Sequence, residues 1–75
     1  MQPYANLSGN SGVAEFEIGS GFIRIRFVNK STIYTYDHTK PGQQHVSQMQ
    51  SRAIAGRGLS TYIAKYIKGR YASKV

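Results

Sequence analysis

The sequence predicts an α+β domain: a three-stranded antiparallel β-meander followed by two α-helices packed on one face, in the order β-β-β-α-α. Three observations carry this prediction. Residues 13–18 and 22–28 alternate apolar and polar with the two-residue period of half-buried strands, and 31–36 is a third run rich in β-branched and aromatic residues. The charged residues of the first two runs face opposite charges in only one register. Beyond Pro41 the apolar spacing lengthens to that of a helix with one buried stripe.

Residues 1–12 contain Asn, Ser, Gly and Pro with little to bury, so they read as a flexible leader. Tyr4 and Leu7 are its only bulky interior side chains, and the sequence leaves open whether they dock. In the first strand Ala14, Phe16 and Ile18 alternate with Glu15 and Glu17. In the second, Ile23, Ile25 and Phe27 alternate with Arg24 and Arg26. A tight loop at Ser20-Gly21 pairs Ile18 with Ile23, Phe16 with Ile25 and Ala14 with Phe27. It also sets Glu17 opposite Arg24 and Glu15 opposite Arg26, which makes them a solvated ion-pair ladder. A one-residue slip would bring the glutamates among the isoleucines.

The third strand is rich in β-branched and aromatic residues. A loop at Asn29-Lys30 pairs Phe27 with Thr32, Ile25 with Tyr34 and Ile23 with Tyr36, which turns both tyrosines toward the core. Val13, Val28 and Ile33 then fall on the outer face. Pro41 suits a first helical position behind Thr39 or Lys40 as cap, and Val46, Met49 and Ala53 mark the buried stripe of a helix over 41–55. Gly56 and Gly58 break it. The second helix, running to 68–70, buries Leu59, Tyr62, Ile63, Tyr66 and Ile67. The folded domain spans 13–72, with a short tail at 73–75.

The charge is one-sided. Arg24, Arg26 and Lys30 balance Glu15, Glu17 and Asp37, so the net +7 resides in residues 38–75, which contain no acid. Such a field favours a polyanion, because each neutralised phosphate releases a condensed counterion. Arg57, Thr61, Lys65 and Lys68 recur at helical spacing and would line one exposed stripe, extended by Arg70 and Lys74 and joined by Arg52 from the first helix. The Gly56-to-Thr61 segment admits two readings: an anion site at a helix start, or simply Gly56 as C-cap and Ser60 as N-cap. No catalytic residues are expected, since His38, His45 and three carboxylates form no nucleophile-base set. Nor do they form a metal site or imply a cofactor. The absence of cysteine excludes disulfides and thiolate metal sites, and without a visible signal peptide or membrane span the expected location is cytoplasmic.

Tyr34-Thr35-Tyr36 after an apolar-alternating hairpin, a following Pro41, the turn Ala55-Gly56-Arg57-Gly58 and the ending Ile67-Lys68-Gly69-Arg70-Tyr71 occur in a distinctive order. This set resembles the KTSC domain, a small family named for an appendage of some lysyl-tRNA synthetases. The resemblance covers roughly residues 14–71, with a longer 37–40 link and extra length over 56–60 as departures. It implies RNA binding by association with a tRNA enzyme. Two functions are therefore expected. The first is a non-enzymatic nucleic-acid-binding module, for RNA rather than DNA, using Arg52, Arg57, Thr61, Lys65, Lys68, Arg70 and Lys74. The second is a protein-interaction module or accessory homodimer using open sheet edges and the outer face. A membrane partner is not expected, because the basic helix spends its apolar face on the core.

Overall fold

Three central strands form the expected meander in a computed structural model, which describes residues 1–9 and 11–75. They are β2 (Val13–Gly19), β3 (Phe22–Phe27) and β4 (Ile33–Asp37). Two short strands, β1 (Gln2–Pro3) and β5 (Ser73–Lys74), lie outside them, giving a five-stranded antiparallel sheet in the order β1-β2-β3-β4-β5 rather than a three-stranded one. Helix α1 (Gln43–Ala55) and the shorter α2 (Leu59–Tyr62) follow β4, and α2 continues as a π-helical turn over Ile63–Ile67. The helices cover the sheet face that carries Ile23, Ile25 and Tyr36, and with them bury Val46, Met49, Ala53, Leu59 and Ile67.

The charge register holds. Glu17 pairs with Arg24, Glu15 with Arg26, Phe16 with Ile25 and Ile18 with Ile23. Arg26 Nε donates to Glu15 Oε1 at 2.7 Å, and the more exposed Arg24–Glu17 pair is at 3.5 Å. The pairing differs at the start of β2. A bulge between Val13 and Glu15 sets Val13, not Ala14, opposite Phe27. Val13 is then 2% exposed and belongs to the core instead of the outer face. The exchange buries a side chain two carbons larger, a gain of about 1.5 kcal/mol at 0.8 per carbon. Between β3 and β4 the expected register also holds, with Ile23 opposite Tyr36 and Ile25 opposite Tyr34. The ladder stops at Arg26–Ile33, one pair short of Phe27–Thr32, as Arg26 Nη1 donates to the carbonyl of Lys30 in the turn.

The leader is structural. Gln2 and Pro3 pair with Phe16 and Glu15, and the Tyr4 amide donates to the Ala14 carbonyl that the bulge leaves free of the ladder. Tyr4 is 6% exposed, edge-on to Phe16, and its hydroxyl accepts the Leu59 amide at the start of α2. The Leu7 amide donates to the Gly56 carbonyl at 2.7 Å, although the Leu7 side chain stays exposed. At the other end, Tyr34 pairs with Lys74, Thr35 with Ser73, and Val75 exchanges backbone hydrogen bonds with Ile33. Both edges expected to be open are thereby occupied by strands of two residues, one containing Pro3 and one Lys74, which offer little to a further strand.

Helix boundaries shift as well. Asp37 Oδ1 accepts the amides of Thr39 and Lys40, closing a turn that removes both from capping. Pro41 bridges back to Asp37, and Gly42, at φ 115°, is the residue before α1. Gly56 caps α1 in the left-handed conformation as expected. Gly58, not Ser60, precedes α2, because the Tyr4 hydroxyl already satisfies the first free amide. The Gln50 amide donates to the carbonyls of Gly19 and Phe22, tying α1 to the β2–β3 turn. No helix among the described residues is long and apolar enough to cross a membrane.

Candidate nucleic-acid interface

The expected single basic stripe is divided by the π turn. In an α-helix, positions four apart advance about 40° beyond a full turn, so Leu59, Ile63 and Ile67 would drift around the surface. The wider turn, closed by the Lys68 amide on the Ile63 carbonyl, absorbs that drift and keeps all three buried. Tyr66 is turned outward as a result. It is 52% exposed, although the sequence pattern places it in the core stripe.

Outward rotation of Tyr66 creates an aromatic surface between the helices. Tyr66 and Tyr62 have ring centroids 4.9 Å apart at 44°. The Arg52 guanidinium lies 4.4 Å over the Tyr62 centroid, and it also bonds the Gln48 side-chain oxygen. On the other side, the Tyr62 hydroxyl and His45 Nδ1 share a 2.7 Å hydrogen bond that fixes the ring. Arg52, Thr61, Lys65 and Tyr66 surround a concavity of about 350 Å³ floored by Gly58 and Tyr62. Tyr62 is also the wall of an adjoining open cavity of about 510 Å³, lined along α1 by His45, Ser47 and Gln43, Gln44 and Gln48. The two cavities meet at Tyr62, with cations and rings on one side of it and amides on the other, and we call the pair the trough.

Among the described residues no carboxylate reaches the trough. Glu15 and Glu17 are committed to Arg26 and Arg24 on the sheet, and the hydrogen bond from Arg26 holds the Glu15 carboxyl below its ordinary range. Asp37 is committed to its own turn. The positive field of Arg52 and Lys65 is thus uncompensated by contact.

The other expected site residues separate. Arg57 is exposed in the corner between the helices. Arg70 folds back onto the carbonyls of Tyr66 and Ile67, where it satisfies groups at the helix end. Lys68 leaves the helix at φ 54° and, with Lys30 and Tyr71, borders a different cavity. Lys74 belongs to β5, its Nζ 5.7 Å over the Tyr71 ring. Of the seven expected residues, Arg52, Thr61 and Lys65 therefore come together. Tyr62, Tyr66 and His45 were not among them. Their signal was present: His45 and Arg52 lie seven residues apart, two turns along one face of α1, opposite two tyrosines four apart. Reading those tyrosines as core removed them from consideration.

No family model matches the chain, and no match is found among curated proteins or solved structures.

Proposed function

We propose that this chain is a small non-enzymatic module that binds single-stranded nucleic acid in the trough between α1 and α2. The observation that carries the reading is an exposed tyrosine ring set among unneutralised cations: Tyr66 beside Tyr62, with Arg52 and Lys65 on the same concavity. A base stacks on Tyr66, and the neighbouring phosphates lie against Lys65 and Arg52. Stacking on an aromatic side chain contributes about 1–3 kcal/mol per base whatever its identity, so the module tolerates many sequences. A duplex hides base faces and loses this contribution. RNA is preferred over DNA on the resemblance to the KTSC family, and the amides of Gln44 and Gln48 and the hydroxyls of Ser47 and Thr61 suit a 2′-hydroxyl.

The test is a titration of fluorescent single-stranded RNA, single-stranded DNA and duplex DNA across a range of salt. Two phosphate contacts predict a slope of log affinity on log salt of about −1.4 for single strands. Single strands should bind more tightly than duplex, and Lys65→Glu should abolish binding. Affinity independent of salt, or a preference for duplex, overturns the proposal.

A further inference from the structure

A second cavity, of about 260 Å³, opens where the end of the π turn meets the sheet. Its walls are the rings of Phe27, Tyr34, Tyr36 and Tyr71, and Lys30 and Lys68 stand at its border beside Gly69. It shares no lining residue with the trough between the helices. Tyr34 packs edge-on against Phe27 at 5.6 Å and Tyr71 at 4.9 Å, so the wall is a continuous aromatic surface. Tyr36 is almost wholly buried, and burial pushes its hydroxyl up to about 12, which keeps it protonated. Among the described residues, the tyrosine hydroxyls with protein partners are those of Tyr4 and Tyr62; Tyr34, Tyr36 and Tyr71 keep theirs unassigned.

Two features go beyond what packing requires. Lys68 holds φ 54° and ψ −124°, a backbone conformation unfavourable to any residue with a side chain, and Gly69 follows with open space around it. Together they take the chain off the helix axis and set Lys68 on the cavity that Lys30, from a different element, also lines. Two cations and no carboxylate border an aromatic cleft slightly below the usual size range of ligand sites, roughly 300–1,000 Å³.

We infer that this cavity binds a single nucleotide unit, with its base among the tyrosine rings and its monoester phosphate between Lys30 and Lys68. A phosphate monoester carries about −1.5 to −2 charge at neutral pH, which matches two ammonium groups. A planar ring offers edges for the hydroxyls and faces for stacking. The same chemistry is found in a free mononucleotide and in the phosphorylated end of a strand.

The experiment is an NMR titration of the isotope-labelled full chain with uridine monophosphate, uridine and inorganic phosphate. Two oligonucleotides follow, alike except that one carries a terminal phosphate. Uridine monophosphate should give saturable shifts at Lys68, Gly69 and Tyr71, with Lys65 and Tyr66 unmoved. Uridine and phosphate alone should bind roughly tenfold more weakly or worse, since each lacks half of the contacts. Lys30→Gln combined with Lys68→Gln, both at exposed positions, should lower nucleotide affinity roughly tenfold while leaving the remaining spectrum intact. Preference for the phosphorylated oligonucleotide over the free nucleotide assigns the site to strand ends; the reverse assigns it to the mononucleotide. No shift at Lys68, Gly69 and Tyr71 up to about 5 mM nucleotide overturns the inference, as does equal binding of uridine. Oligonucleotide shifts confined to Lys65 and Tyr66 would overturn it while leaving the trough reading in place.

Discussion

Tyr66→Ala is expected to weaken single-stranded RNA binding by about 5- to 30-fold without changing its salt dependence. The magnitude follows from the geometry. The ring is half exposed and already rests against Tyr62 at 4.9 Å, so one face is available to a base. One stacked base therefore lies in the lower part of the stacking range, about 1–2 kcal/mol, which is about 5- to 30-fold in affinity. The fold should lose no more than the Tyr62 contact, about 0.5–1.5 kcal/mol, so the variant stays folded. Lys65→Ala is the counterpart: it removes one phosphate contact and should flatten the salt slope by about 0.7 while leaving stacking intact. Fluorescence anisotropy at several salt concentrations measures both quantities on the same RNA. Unchanged affinity for Tyr66→Ala, or a change in its slope like that of Lys65→Ala, would refute the assignment of the ring to stacking.

Tyr4→Ala removes a core ring and the acceptor for the Leu59 amide; a loss of about 3–5 kcal/mol would leave so small a domain largely unfolded by circular dichroism. Gly56→Ala puts a side chain at φ 78° with its Cβ 2.7 Å from that of Ala5, and urea denaturation should show about 2 kcal/mol lost. High pH tests Tyr36. Its folded value of about 12 exceeds the ordinary 10, so its contribution is complete below pH 10 and is lost as pH rises through about 12. That contribution is on the order of 2–3 kcal/mol at most, and Tyr36→Phe should remove the corresponding part of the alkaline decline in melting temperature.

What the sequence disclosed depended on how many residues carried each signal. The β2–β3 register was legible because four charges and four apolar residues agree on it, and any slip reverses them all. The bulge at Val13 was not, since Ala14 satisfies the alternation equally well and only the burial of the larger side chain decides. Strands of two residues have no period, so β1 and β5 could not be read from alternation; Pro3 and the polar residues around it looked like loop. The site was half legible. Charge located the helices, but Tyr62 and Tyr66 fit a core stripe as well as Ile63 and Ile67 do. The choice between them is made by a local widening of the helix, which no residue type in that segment announces.

That widening has a consequence that can be tested without a ligand. A π turn is an α-helix with one residue in excess, so removing one exposed residue from it should restore α geometry. Ala64 is exposed within the turn. Without it, Leu59, Ile63 and Ile67 fall at spacings of four and three, which an α-helix places on one face. Tyr66 falls six positions from Leu59, about 240° around the axis, and stays outside. Deletion of Ala64 should therefore leave the fold intact, with thermal stability equal or higher. Deletion of the equally exposed Ser51 in α1 has no excess residue to absorb it. It rotates Ala53 and the Gly56 cap by about 100° relative to Met49, and should unfold the protein. Equal damage from the two deletions would mean that the π turn does not set the outward position of Tyr66, and the trough would lose its structural cause.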